Sequence, residues 1–257
     1  MHQLPSPIIL LQQSWQFYRK HAVFNAVVFW LLAVPFWILN VLQSVSFGNG
    51  SIDTAPYPPL LSTDDPVTLL LIILAILLLT LVTTWGTASV LFVGKRLVTS
   101  RAGRTRTSFK AVRMEGLHLI LPLLFTMILR SCFILLWGIL FIIPGIIYAI
   151  RTALYQAVIV CEDRSSRSSL RESKILTKGH FWEVTTHLIV FVIALFGPAM
   201  LLDLLFAVAS DRIDGRLIFI GDVVGSVVFA YATMLFLLSI IALYSALKKL
   251  PDPIPEF

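Results

Sequence analysis

The chain has 257 residues, of which 58% are hydrophobic and 13% are charged, and its mean hydropathy is +0.89. Soluble domains carry about 25% charged residues, and a core of this length could not hide so many apolar side chains from water. The composition therefore excludes an ordinary soluble protein and predicts an all-α membrane protein. The net charge of +6 does not indicate nucleic acid as a partner, because the basic residues lie in short segments between apolar runs.

The apolar runs set the number of membrane crossings. A helix needs roughly 20 apolar residues to cross about 30 Å of hydrocarbon. Four runs have this length, and one run of some 45 residues, 117–161, is long enough for two crossings. We predict six transmembrane helices in a single integral membrane domain, 1–257. In chain order they cover 22–45, 67–93, 117–141, 144–161, 181–209 and 217–247.

Amphipathic segments precede some of these spans. Segment 6–20 has Ile8, Leu11, Trp15 and Tyr18 on one helical face, the pattern of a helix that lies in the membrane interface. A second such helix is predicted at 168–179. There Ser169 and Glu172 have the spacing of a capping box, and Gly179 is placed to end the helix.

The two surface helices also align with each other. Pairing Ser14 with Ser173 pairs His21 with His180 as well, and 105–117, at the end of the basic loop 94–115, is a weaker third copy. We interpret the chain as three units, each a surface helix followed by a transmembrane hairpin. The alternative is that the three segments are alike only because they meet the same interface.

The basic residues predict the orientation. Sixteen Lys and Arg residues lie in the N-terminal segment, in 94–113, in 162–180 and in the tail, whereas the other two loops hold Arg212 and Arg216. Positive loops stay in the cytoplasm, so both termini are predicted there. Basic helices at that surface suit anionic lipid headgroups, which makes membrane lipids the predicted partners. Other membrane proteins, or a second copy of the chain, are further candidates.

One stretch resembles a known family. An apolar helix runs into Ile-Pro-Gly-Ile at 143–146, and Arg151 follows it. Ser173 then lies in a basic helix, and Gly179, Phe181 and Trp182 open the next span. In these positions the chain resembles the membrane domain of bacterial glycerophosphoryl diester phosphodiesterases and related stand-alone six-helix inner-membrane proteins of unassigned function.

The resemblance implies a six-helix fold in a bacterial inner membrane and leaves the function open. The chain has no soluble phosphodiesterase barrel, so that activity is not implied. The Ser-Trp pair that the family often has in this helix is found instead in the first surface helix, as Ser14 and Trp15, whereas Lys174 follows Ser173.

Four charged residues fall inside predicted spans, and Pro144 and Gly145 interrupt one of them. The charged residues are Arg130, Arg151, Asp203 and Asp222. A charge that faces lipid costs roughly 2.5–3.5 kcal/mol by insertion scales, so we expect Arg151 to pair with one of the two aspartates. Such a cluster is interpreted as a structural lock, with outward snorkelling or a substrate site as alternatives. Pro144–Gly145 forms either the turn between two helices or a kink.

The sequence contains none of the catalytic motifs that were sought: no HExxH, CxxC, Walker loop or nucleophile elbow. Glu115 with His118, and His180 with Glu183 and His187, have spacings that could bind a metal, but residues that end a span at the interface explain them equally well. No metal or cofactor is predicted. The first functional hypothesis is a non-enzymatic protein that organises, assembles with or regulates envelope components. The second is a transporter or lipid-handling protein that uses the Arg/Asp cluster.

Overall fold

The structure is a computed structural model that describes residues 4–47, 66–98, 109–163, 166–213 and 217–250. Every regular element in these ranges is a helix, and a π-helical turn, Phe29–Ala33, separates α2 from α3. The α-helices are α1 Pro7–Lys20, α2 Val23–Val28, α3 Val34–Phe47, α4 Pro66–Val98, α5 Phe109–Leu140, α6 Ile142–Arg151, α7 Tyr155–Glu162, α8 Ser166–Leu176, α9 Phe181–Arg212 and α10 Leu217–Lys248.

Six helical segments are long and apolar enough to cross a membrane, which confirms the predicted number and the all-helical membrane class. They cover Val23–Leu42, Pro66–Val98, Val112–Leu140, Ile142–Glu162, Phe181–Ser210 and Phe219–Lys248. The predicted basic loop 94–115 is helical at both of its ends, and 99–108 lies outside the described residues. Because α5 is continuous from Phe109, no separate surface helix precedes the third span among the described residues.

The central helix is α10. Within the protein, 61% of its most apolar window is buried, compared with 11% for α5 and for α9. The buried side chains of α10 include Met234, Leu238 and Tyr244, which join one continuous apolar core. The outer helices leave large apolar side chains uncovered, such as Leu121 at 74% exposure. Exposed apolar faces of this extent are stable in lipid rather than in water.

Helices α9 and α10 form an antiparallel pair with a close contact. A Cβ atom on Gly221 would lie 2.6 Å from the Cβ of Phe206, and one on Gly225 would overlap the carboxylate of Asp203. Small residues four apart let helices approach in this way. As the numbers rise along α10 they fall along α9, so Phe181 and Lys248 lie at the same end of the pair.

The connection between α5 and α6 is made at Phe141, whose backbone is extended (φ −156°, ψ 125°). Pro144 is the third residue of α6, where a backbone N–H would have no helical partner in any case. Gly145 packs against α5, because an added Cβ would lie 3.1 Å from the Cα of Gly138. Pro144 and Gly145 therefore begin the fourth helix and pack it closely on α5.

A second interruption separates α6 from α7 at residues 152–154. The guanidinium of Arg151 lies 5.9 Å from the ring centroid of Phe181, and the Nζ of Lys248 lies 2.8 Å from the Glu162 carboxylate. Since Phe181 and Lys248 mark the same end of the α9–α10 pair, Arg151 at the end of α6 and Glu162 at the end of α7 both contact that end. The predicted helix 144–161 is thus two helices, and Arg151 lies level with the start of α9 instead of two turns inside the bilayer.

Helix α8 begins before the predicted capping box. Ser169 is not an N-cap, because the helix starts at Ser166 and the Ser169 hydroxyl donates to the Ser166 carbonyl (2.8 Å). The predicted stop is confirmed, since Gly179 has φ 87°, a conformation that favours glycine. In α1, Leu10 and Ser14 are buried against the rest of the protein, while Ile8 and Trp15 point outward.

Candidate functional site

A groove of about 520 Å³ lies between α5, α6 and α8. We call it the α8 groove. One wall carries cations from α8, and the opposite wall carries apolar and aromatic side chains from α5 and α6. Its lining residues are Leu129, Phe133, Trp137, Tyr148, Arg167, Leu170, Arg171 and Lys174.

The cationic wall follows from helical spacing. Arg167, Arg171 and Lys174 lie at i, i+4 and i+7 of α8, so they share one face of the helix. All three are exposed, whereas Ser169 and Ser173 are fully buried on the opposite side. The helix is therefore amphipathic in an unusual sense, with hydroxyls buried and cations facing out.

The buried hydroxyls attach α8 to the end of α6. The Ser173 hydroxyl donates to the Arg151 carbonyl (2.9 Å) and accepts from the Leu154 N–H (3.2 Å). The Thr177 hydroxyl lies 3.4 Å from the same Arg151 carbonyl. A helix leaves its last carbonyls without helical partners, so these hydroxyls satisfy groups that the break at 152–154 would otherwise leave unpaired. The hydroxyl contacts also fix the position of the cationic wall.

The apolar wall is formed mainly by α5. Leu129, Phe133 and Trp137 are four residues apart and share one face of that helix. Tyr148 of α6 packs beside Phe133 with their ring centroids 5.8 Å apart. The Nζ of Lys174 lies 4.3 Å from the centroid of the Tyr148 ring, a cation–π distance that joins the two walls.

Positive charge is concentrated at the part of the α8 groove where Lys174 lies near Arg151. Burial lowers the pKa of Lys174, and the nearby guanidinium of Arg151 lowers that pKa further. Two cations that repel each other are both stabilised by an anion placed between or beside them. The arrangement can therefore bind a group that is anionic at one end and apolar along its length.

Arg130, one of the predicted intramembrane charges, contacts no carboxylate in the part of the chain that the structure describes. Its Nε donates to the Thr152 hydroxyl (3.0 Å) and its Nη2 donates to the Ala149 carbonyl (2.9 Å). The guanidinium also lies 5.3 Å from the ring centroid of Tyr155. Arg130 thus places a cation at the C-terminal end of α6, where helix carbonyls carry partial negative charge.

The predicted pairing of Arg151 with Asp203 is wrong. Arg151 lies beside Phe181, and Asp203 is 22 residues further along the same helix α9. At 1.5 Å per residue the two levels differ by about 33 Å. The prediction failed because it assumed an unbroken fourth helix that would carry Arg151 into the bilayer.

The structure does not unite the four predicted charges in one cluster. Arg130 and Arg151 flank the break at 152–154, whereas Asp203 lies beside Gly225 and Asp222 lies in the same turn of α10. Among the described residues, no ion pair joins either arginine to either aspartate. A shared lock or a shared substrate site would need such contacts.

The residues of the family-like motif are found at the surface end of the bundle. Trp182 is 77% exposed and Trp15 is 49% exposed, as expected for aromatic side chains at a lipid–water boundary. The ring of Phe181 packs on Trp182 at 5.4 Å and lies under the Arg151 guanidinium. Ser14 and Ser173, which the sequence aligns, are both fully buried.

In the described part of the chain, no three His, Cys, Asp or Glu side chains are grouped so that they could hold a metal ion. His180 contacts the Glu183 carboxylate at 3.3 Å. His187 instead lies between two backbone carbonyls, those of Glu183 (2.7 Å) and Pro5 (2.8 Å). This histidine therefore connects α9 to the segment before α1.

The residues of the α8 groove were not predicted from the sequence as a site. Arg167, Arg171 and Lys174 were used only to predict orientation, although their i, i+4, i+7 spacing was a readable signal of one cationic face. The aromatic wall had no comparable signal, because apolar residues on α5 look the same whether they face lipid or α8.

Comparisons of the chain with protein-family models, with curated proteins and with solved structures give no match. The resemblance to the phosphodiesterase membrane domain therefore stays a prediction. The function has to be argued from the geometry of the chain itself.

Proposed function

We propose that this protein is a non-enzymatic, multi-pass protein of the bacterial inner membrane that binds an anionic phospholipid in the α8 groove. In this role it organises, assembles with or regulates other components of the envelope. The observation that carries the proposal is the groove itself, with Arg167, Arg171 and Lys174 opposite a wall of apolar side chains. A phosphate headgroup matches the first wall, and an acyl chain matches the second.

The proposal includes a threading of the chain. Both termini are in the cytoplasm, α1 and α8 meet the headgroup region, and each of these two helices is followed by two spans. The excess of sixteen over two basic residues supports this orientation. The shared burial of Ser14 and Ser173 supports the equivalence of α1 and α8.

The groove also supports the second hypothesis, a transporter or lipid-handling protein, because a protein must bind a lipid before it can move it. That hypothesis first rested on one Arg/Asp cluster. Since Arg151 and Asp203 are about 33 Å apart in level, the cluster no longer supports it. Binding without transport is the simpler role for the groove.

The decisive measurement is lipid affinity with and without the cationic wall. Each basic residue near an anionic surface contributes about 1 kcal/mol, so replacing all three cations by Gln should weaken phosphatidylglycerol binding about a hundredfold. Purified protein in detergent would be titrated with short-chain phosphatidylglycerol and followed by native mass spectrometry. Phosphatidylcholine should bind weakly to both proteins.

A matched control removes three exposed basic residues that lie outside the groove. The triple change of Arg19, Lys20 and Lys110 to Gln lowers the net charge equally and should change the affinity little. Equal losses in the two triple variants would show that general charge, and not the groove, attracts the lipid. That result would overturn the proposal.

The lowered pKa of Lys174 gives the same experiment a pH arm. As the pH rises through this lowered pKa, Lys174 loses its charge while Arg167 and Arg171 keep theirs. Affinity should therefore fall on the alkaline side, and it should begin to fall below the pH at which an ordinary lysine titrates. Lys174→Arg should move that fall to higher pH, because the guanidinium stays protonated.

A further inference from the structure

A second cavity lies between α3, α9 and α10 and has a volume of about 290 Å³. It is distinct from the α8 groove, because the two share no lining residue. Its lining residues are Phe36, Leu39, Asn40, Asp203, Gly225, Ser226 and Phe229.

Asp203 lines this cavity, and its side chain is exposed. No hydrogen bond or ion pair to Asp203 occurs in the portion of the chain that the structure describes. Its position is set by close packing, since a Cβ atom on Gly225 would overlap the carboxylate. An ionisable group inside a membrane-spanning segment is by default a sign of function.

Two further polar groups converge on the same space. The Asn40 amide donates to the Ser226 hydroxyl at 3.2 Å, which orients the amide and leaves its carbonyl oxygen as a second acceptor. The cavity therefore offers a carboxylate and an amide carbonyl, both of which accept hydrogen bonds from a cation.

The rest of the cavity is aromatic and aliphatic. The rings of Phe36 and Phe229 meet edge to face with their centroids 5.3 Å apart. Aromatic faces attract cations, and an apolar wall favours the carbon skeleton that carries the charge. A hydrated metal ion would gain little from such a wall, whereas an amine with an apolar body would fill it.

We propose that this cavity binds a small organic cation, a protonated primary amine attached to an apolar or aromatic body. The ammonium group donates to the Asp203 carboxylate and to the Asn40 carbonyl, and the body packs on Phe36 and Phe229. This site goes beyond the lipid-binding function, since it uses different helices and selects the opposite charge.

The test uses 2-phenylethylamine as the probe and propylbenzene as its uncharged counterpart of the same shape. Wild-type protein in phosphatidylcholine nanodiscs should bind radiolabelled 2-phenylethylamine at one saturable site, and excess propylbenzene should not displace it. Asp203→Asn should lower the affinity at least tenfold. Asp163→Asn removes a carboxylate that pairs with Lys95 outside the cavity and should leave the affinity unchanged.

A second variant tests whether the Asp203 carboxylate must be in its observed position as well as present. Gly225→Ala keeps the carboxylate but forces it out of place, so it should also weaken binding of the amine. Thermal unfolding of each variant checks that the fold is intact. Absence of saturable binding to the wild type, wild-type affinity in Asp203→Asn, or displacement by propylbenzene would overturn the proposal.

The outcome is independent of the lipid site. The Gln variant of Arg167, Arg171 and Lys174 should bind 2-phenylethylamine as the wild type does. If that variant lost lipid but kept the amine, both proposals would stand. If the wild type bound lipid but not the amine, only the cation site would fail.

Discussion

At the scale of single residues, Arg130 contacts a hydroxyl and a backbone carbonyl beside the break at 152–154 rather than a carboxylate. Helix α6 ends at Arg151, and the carbonyls of Tyr148 and Ile150 still accept backbone N–H groups, whereas those of Ala149 and Arg151 accept from side chains. The side chain of Arg130 supplies a donor to Ala149, and α8 supplies hydroxyls to Arg151. An arginine in an apolar run can therefore be a helix cap supplied by a neighbouring helix.

This role predicts the effect of replacing Arg130. Arg130→Leu should lower the free energy of unfolding by roughly 1–3 kcal/mol, because it removes a charged donor from the Ala149 carbonyl and leaves that carbonyl only the longer contact with the Thr152 hydroxyl (3.4 Å). The free energy of unfolding of Arg130→Lys should lie between those of Arg130→Leu and the wild type, since an ammonium keeps the charge but not the planar fork of donors. Unfolding midpoints of the purified proteins in detergent would measure both changes.

The control for this prediction is Asp203→Asn added to Arg130→Leu. Asp203 lies beside Gly225 and has no contact with Arg130, so the second change should recover none of the lost stability. Recovery would mean that the two charges interact after all and would restore the ion-pair lock. An unchanged midpoint in Arg130→Leu would show that the cap contributes nothing.

At the scale of helices, α8 is attached by hydroxyls and not by an apolar stripe alone. Ser173 bonds to two backbone groups of another segment, the Arg151 carbonyl and the Leu154 N–H. Ser14, its counterpart in α1, donates to the Leu10 carbonyl of its own helix and accepts from Ser239. The two serines align in sequence, but only Ser173 bonds backbone groups of another helical segment.

Ser173→Ala should therefore destabilise the protein more than Ser14→Ala. The first change leaves the buried Leu154 N–H without its partner, at roughly 1–3 kcal/mol, and leaves the Arg151 carbonyl only the longer contact with the Thr177 hydroxyl (3.4 Å). The second leaves only Ser239, which keeps the Leu235 carbonyl as an acceptor. Hydrogen exchange of the α8 amides would report the loss locally, and equal effects of the two changes would contradict the assignment.

The helices also show what a sequence can predict. The six apolar segments were predicted because hydropathy is a local property that each segment carries by itself. The stop at Gly179 was predicted for the same reason. The break at 152–154 was not, since no glycine or proline marks it and it depends on hydroxyls of a later helix. The partner of Arg130 was missed because backbone carbonyls leave no trace in a sequence.

At the scale of the whole molecule, ion pairs join the ends of several helices on one side of the protein. Lys95 at the end of α4 contacts Asp163 at 3.3 Å, and Lys248 at the end of α10 contacts Glu162 at 2.8 Å. The ends of α4, α7 and α10 therefore share the side that carries α8 and the start of α9. The described basic residues between α7 and α9 lie on that side, and positive loops stay in the cytoplasm; they are Arg167, Arg171, Lys174 and Lys178.

This arrangement predicts which residues an impermeant maleimide reaches. Lys178 and Ile213 are exposed near opposite ends of α9, so single cysteines there report opposite faces of the membrane. In a background with Cys132 and Cys161 changed to Ala, intact spheroplasts should be labelled at Ile213→Cys, and Lys178→Cys should react only after permeabilisation. The reverse pattern would invert the orientation. Labelling of both positions from one side would mean that α9 does not cross the membrane, and the six-span threading would fail.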